Sequence, residues 1–160
     1  MRVTTLLCDH AQVSSDGKLF ISGANINRLN SQCIQAPYTV DFALAVMIHI
    51  PWQATNQAHK LSIELVNDDP NGAKRVPFAA ATPNVDGVDH GKLLADFNAG
   101  RAPQMVPGEE TTMPLVVPFH RFNLPDTGGY YFDICVDGTS VATVPFRVES
   151  ITSTPFRVAG

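Results

Sequence analysis

Residues 42–50 read FALAVMIHI, with Phe42, Leu44, Val46, Ile48 and Ile50 at one parity and Ala43, Ala45, Met47 and His49 at the other. Successive side chains of a strand point to opposite faces, so period two sustained over nine residues reads as a β-strand with a bulky face for a core. The other face is small and apolar rather than charged. A sheet that is apolar on both sides must be covered on both, so Ala43, Ala45 and Met47 are expected to meet a partner.

The same period runs outward in both directions, and a sustained period of 3.6 occurs nowhere. Downstream, Leu61, Ile63 and Leu65 alternate with Ser62 and Glu64 up to the turn NDDPNG, and 76–81 reads as the returning strand. Met113, Leu115, Val117 and Phe119 alternate next, followed by Tyr130, Phe132, Ile134 and Val136. Asp137-Gly138 then leads into Ala142, Val144, Phe146 and Val148, and an Asp-Gly pair between alternating runs is a strong hairpin signal. Upstream, LLCDHAQV and KLFISGANI flank the turn SSDG in the same way. Short strands at this spacing predict an all-β fold: an antiparallel, immunoglobulin-like β-sandwich of about seven to nine strands. Tyr130, at the start of the penultimate strand, stands where a tyrosine corner forms, although the Cys–Trp–Cys spacing of antibody domains is absent.

One tripeptide recurs. Val76-Pro77-Phe78, Val117-Pro118-Phe119, Val144-Pro145-Phe146 and Thr154-Pro155-Phe156 each place Phe toward the core and Pro outward. Proline cannot donate to a ladder and is confined to edges, strand starts and bulges, so these are expected to be edge strands protected from unwanted pairing. The last copy, Pro155-Phe156-Arg157-Val158, repeats Pro145 to Val148 ten residues on. The expected organisation is a sandwich domain over 1–149 and a tail over 150–160 that adds a strand at home or docks on a neighbouring molecule.

Composition limits the partners. The chain has 160 residues, 44% of them hydrophobic and 16% charged, which suits one folded domain. A net charge of −4 with eleven Lys and Arg, none in a run, lacks the footprint of a nucleic-acid binder. The N-terminal apolar stretch breaks at Asp9-His10 and no segment approaches the length of a membrane span, so the expected location is the cytoplasm, or a virion, with no membrane partner.

Catalytic signatures are missing: there is no GxSxG, phosphate-binding loop, GxGxxG or HExxH. Cys8, Cys33 and Cys135 are odd in number, lie in or beside apolar segments and read as buried free thiols. Cys8 and His10 share a strand face, but no second pair at ligand spacing completes a zinc site. Asn67, Asp69, Asn71 and Gly72 follow a calcium-loop pattern whose twelfth place is Phe78 instead of glutamate, so a plain turn is expected. No catalytic residue, metal or cofactor is therefore expected. Trp52, the sole tryptophan, ends the longest strand beside Asn56 and His59, and 82–112 is a long connection with little periodicity beyond GKLLADFNAG.

Three segments, LLCDHAQVSSDGKLFISGANINRL (6–29), ALAVMIHIPWQATNQAHKLSIELVNDD (43–69) and PDTGGYYFDICVDG with VATVPFRV (125–148), together resemble a family of short, largely actinobacterial proteins of unknown function. The resemblance covers most of the chain and is most specific in the N-terminal hairpin and the PW-x3-N-x2-H segment. It implies a compact β-sandwich and no reaction. The 82–112 connection and the second PFRV depart from that pattern.

These readings converge on a non-enzymatic sandwich acting through protein contacts. It would be a self-assembling subunit, or an accessory or decoration protein of a larger complex such as a phage particle, using Pro155, Phe156, Arg157, Val158, Ala43, Ala45 and Met47. The alternative is a small-ligand or glycan-binding module using Trp52, Asn56, His59 and the loop 82–112.

Overall fold

The computed structural model describes residues 1–77 and 91–151 and the backbone of 88–89; the fourth Pro-Phe copy, Pro155 to Val158, lies outside the described residues. Among the described residues, eleven strands form two sheets. In chain order they are β1 (Arg2–Val13), β2 (Leu19–Ala24), β3 (Arg28–Ser31), β4 (Tyr38–Pro51), β5 (Ala58–Asn67), β6 (Lys74–Val76), β7 (Val88–Asp89), β8 (Lys92–Asn98), β9 (Glu110–Leu124), β10 (Gly128–Val136) and β11 (Thr139–Ser150). One sheet has the order β2-β1-β4-β9; the other runs β3-β11-β10-β5-β8-β7, with β6 also on β5. No helix among the described residues is long and apolar enough to cross a membrane.

The alternation of β4 works as expected. Phe42, Leu44, Val46, Ile48 and Ile50 are each 2% exposed or less and face the second sheet. There they meet Leu61, Ile63 and Leu65 of β5, Tyr130, Phe132 and Ile134 of β10, and Val144, Phe146 and Val148 of β11 in one core. Fully burying one such side chain is worth about 1.5–3 kcal/mol, so β4 by itself supplies a large share of the driving force. The centre is aromatic. Phe42 stacks on Phe119 at 4.6 Å and reaches across the sandwich to Phe132 at 6.0 Å and Phe146 at 5.9 Å.

A β-bulge sets up that centre. Between Val40 opposite Phe122 and Phe42 opposite Phe119, β9 carries two residues, His120 and Arg121, against the single Asp41. Arg121 takes a left-handed φ of 50°, and its N–H donates to the Asp41 carboxylate at 2.8 Å. The extra residue reverses the parity of β9, so Phe119 and Phe122, three apart in sequence, both enter the core.

The Asp137-Gly138 turn has φ of 51° and 79°, the doubly left-handed geometry of a type I′ turn, and brings Val136 opposite Thr139. At the other end of β10 the tyrosine corner forms. The buried Tyr130 hydroxyl donates to the Asp126 carbonyl at 2.7 Å and accepts the Asp126 N–H at 3.2 Å. The NDDPNG segment is a hairpin turn: the Asp69 carboxylate accepts the Asn71 N–H at 2.8 Å, and Lys74 returns opposite Asn67.

Four expectations change. The sandwich is not purely antiparallel, because β3 pairs parallel to β11 from Arg28↔Arg147 to Ser31↔Ser150. The 82–112 connection is not all loop: its one periodic stretch, GKLLADFNAG, holds β8, which covers β5 from Ala58↔Asn98 to Glu64↔Lys92. Of the described Pro-Phe copies, Pro118 sits on the edge strand β9, but β11 lies between β3 and β10, and Pro145 falls just before the part that β3 covers. The ordered sandwich also passes residue 149, since Ser150 Oγ donates to the Cys33 carbonyl at 2.7 Å and the Ile151 N–H to Ser31 at 3.0 Å.

Replacing Phe42 with alanine should cost about 3–5 kcal/mol in urea unfolding. Tyr130→Phe, which strands the Asp126 groups, should cost about 1–3 kcal/mol with an unchanged denaturant slope.

Candidate functional site

Trp52, Asn56 and His59 gather at one end of the sandwich, around a 3-10 turn, Trp52–Ala54, between β4 and β5. The residue that joins them is Arg101, from the connection between β8 and β9. Its guanidinium lies 3.7 Å from the centre of the Trp52 ring. Its Nε donates to Thr55 Oγ1 at 2.8 Å, a terminal nitrogen to the Trp52 carbonyl at 2.9 Å, and its backbone N–H to the Asn56 side chain at 3.0 Å. The backbone closes the same clasp: Asn56 N–H donates to the Ala99 carbonyl at 2.8 Å and Trp52 N–H to the Glu109 carbonyl at 3.0 Å. The cluster thus fixes the start and end of the 99–109 segment against the sandwich, and one face of the indole is occupied by the chain's own cation.

His59 is buried beneath it. Its Nδ1 lies 2.8 Å from the Asp137 carboxylate and its Nε2 2.8 Å from the Ala54 carbonyl. Both neighbours are acceptors, and a neutral imidazole has a single N–H, so only the imidazolium satisfies both. Burial by itself lowers an imidazole pKa. Here it is outweighed by the bonds to Ala54 and Asp137, and His59 titrates above its usual range. Asp137 is held below the carboxylate range, first by the Lys60 N–H and then by His59. The pair ties the β10–β11 turn to β5, a positioning task.

The opposite end of β5 carries two open clefts that share Asn67 and Asp126. One, of about 460 Å³, is lined by Asp68, Asp69, Asp126 and Arg147; the other, of about 520 Å³, by Pro37, Val76, Pro77, Leu124 and Pro125, with Lys74 and Arg75 at its side. Arg75 is already engaged with Glu64 at 2.8 Å. Among the described residues, no three His, Cys, Asp or Glu side chains are grouped to hold a metal ion.

Of the three thiols, all free, Cys8 is buried and Cys33 and Cys135 are half-buried. Burial raises the Cys8 and Cys135 pKa values, with Asp9 and Asp133 adding to the effect, which disfavours the reactive thiolate.

The face expected to meet a partner through Ala43, Ala45 and Met47 is closed. Ala43 and Ala45 are 3% and 2% exposed, packed with Cys8 and Ala11 in a second small cluster that Leu6, Leu19 and Val116 border. Small side chains on β4 sink between larger ones on the flanking strands, so they offer no accessible surface, and Met47 is half-buried. Exposed apolar surface lies elsewhere. β1 pairs with β4 only as far as Cys8; from there to Val13 it pairs with β2 alone, and this ribbon exposes Val13, Phe20 and Ile21. Gly23 fits the ribbon as no other residue would: its φ is 65°, and a Cβ there would meet the Asp9 carboxylate at 1.9 Å.

The architecture is that of an all-β sandwich. A family of unknown function (DUF6941) matches residues 3–149, and the chain belongs to that family. No curated protein matches it. Among solved structures it is similar to the β-glucosidase from Listeria innocua, at 9% identity and a TM-score of 0.40 over 92% of this chain and 16% of that one. It is also similar to the Pseudomonas fluorescens alkylpurine DNA glycosylase AlkC bound to DNA containing an abasic site analog, at 8% identity and a TM-score of 0.37 over 91% of this chain and 30% of that one. The chain thus spans less than a third of either protein, and these likenesses assign no activity to it.

His59 has a raised folded-state pKa, so its contribution to stability is full below the unfolded value of about 6.5 and is lost as pH rises through the folded value. Asp137 acts in the other window: its contribution is present above 3.8 and is lost as pH falls through its lowered value. Melting temperatures taken from about pH 6 to about pH 9 should fall more steeply for the wild type than for His59→Gln. Parallel curves would mean that the ring is neutral in the fold.

Proposed function

We propose that this chain acts through protein contacts and not through catalysis, as a self-assembling subunit or as an accessory or decoration protein on a larger assembly such as a phage particle. The observation that carries this reading is the ribbon of β1 and β2. Of the seven large apolar side chains exposed among the described residues, three lie on it: Val13 at 40% and Ile21 at 38% on one face and Phe20 at 53% on the other. Single exposed apolar residues are ordinary, but a group on a projecting ribbon is the arrangement of a contact surface. The second PFRV, Pro155 to Val158, offers an additional contact segment in this reading. A ligand or glycan site at Trp52 is less well supported, because Arg101 stacks on that ring and the Asn56 side chain is bonded to the Arg101 backbone.

The test is the solution mass of the full chain beside one ending at Ile151, which keeps all of β11. The full chain should exceed its 17.3 kDa monomer mass in light scattering. A monomer at every concentration, with Trp52 fluorescence quenched by a saccharide, would replace this reading with the ligand-binding one.

A further inference from the structure

We propose that β2 is the pairing edge of a two-fold dimer, joining the four-stranded sheets of two copies into one continuous sheet. The proposal rests on the protein-contact reading and names the partner as a second copy of this chain.

The backbone supplies the first part. Ser14 N–H donates to the Lys18 carbonyl at 2.9 Å, which makes 14 and 18 a hydrogen-bonded pair of the β1–β2 ladder. Hydrogen-bonded and non-bonded pairs alternate in an antiparallel ladder, so Phe20 and Ser22, opposite Gln12 and His10, direct their backbone groups toward β1. The N–H and C=O groups of Leu19 and Ile21 point away from the sheet. Among the described residues, no strand pairs with that side of β2.

Several other edges are protected, although β11 before Arg147 and β1 beyond Cys8 also lack a second partner. On β9, Pro114 and Pro118 remove donors; β3 has four residues and pairs its Arg28 with Glu149; β7 has two residues. The outer strand β6 has three, two of them Lys74 and Arg75. From Leu19 to Ala24, β2 carries neither proline nor charge, and all but Leu19 are exposed. Such an edge pairs with another strand unless something prevents it.

Charge selects a second copy. A two-fold axis through Ile21 sets Ile21 opposite Ile21 and Phe20 opposite Ser22, so the outward-facing groups of Ile21 meet their counterparts. Lys18 then falls opposite Ala24, and no like charges face each other, whereas a charged segment paired with itself sets like charges together near the axis. In a molecule of net charge −4, β2 is an edge where two copies can meet without concentrating that charge. The contact is isologous and closes at two, as symmetric dimers do.

The experiment compares the full chain, Ile21→Pro and the chain ending at Ile151 by light scattering and amide hydrogen exchange. Proline at 21 removes an outward donor and leaves the β1 ladder intact. The full chain should weigh twice 17.3 kDa and Ile21→Pro once, with unchanged circular dichroism and cooperative unfolding. The Leu19 amide should exchange at least about tenfold faster in Ile21→Pro. Should proline disturb the fold, Ile21→Lys carries the same test by setting two ammonium groups face to face on the axis. A dimer that survives both substitutions overturns the β2 pairing and leaves the protein-contact reading standing. A dimer lost only on removal of 152–160 assigns the contact to the tail instead, and a monomeric full chain overturns both the pairing and self-assembly.

Discussion

The packing of Phe42 against Phe119, Phe132 and Phe146 holds the two sheets at one spacing, and the rest of the structure depends on it. Phe42 and Phe119 come from neighbouring strands of one sheet, Phe132 and Phe146 from neighbouring strands of the other, and five of the ring pairs among them lie within 6.0 Å. Aromatic pairs of this kind contribute about 0.5–1.5 kcal/mol beyond their area. Their larger effect is geometric: rigid rings with two torsions fix which residues of β4, β9, β10 and β11 face inward. The tyrosine corner and the Asp137-Gly138 turn then hold β10 at both ends, so the strand carrying Phe132 and Tyr130 cannot slide.

How much of this could be read from sequence follows from what period two encodes. The alternation of β4, β5, β10 and β11 survives because each is nearly regular and buries one face. Reading by parity fails at Asp41, where a single extra residue in β9 moves Phe122 and Leu124 into the core; no alternation links Phe119 to Phe122. The parallel pairing of β3 with β11 was hidden for another reason. RLNS is four residues long and carries one buried leucine, too little to register as a pattern, and its place is set by backbone bonds to β11.

The end cluster shows the same division. Trp52, Asn56 and His59 are near in sequence, and their meeting followed from a single turn. Arg101 did not, because its role comes from the path of the chain after β8. The signal available was compositional: Arg101 is the sole Lys or Arg between Lys92 and Arg121, in a segment otherwise rich in Ala, Pro and Gly. A lone cation in an apolar connection has a reason to be there, and here it is the indole, the Trp52 carbonyl and the Thr55 hydroxyl oxygen. Once Arg101 is counted, Trp52 is one half of a clasp.

The recurring Val-Pro-Phe tripeptide gains a physical meaning from its two fully described copies. In both, Phe119 and Phe146, the aromatic enters the central stack, and Pro118 and Pro145 are exposed. A residue that anchors the core is thus followed back by one that cannot donate to a neighbouring strand, so adhesion inward and resistance to pairing sideways are written in the same three letters. β2 uses the opposite vocabulary: LFISGA brings aromatic, branched and small residues to an edge with free donors and acceptors. In a chain that blunts several of its edges with proline, lysine and arginine, an edge left in that state is suited to meeting another strand.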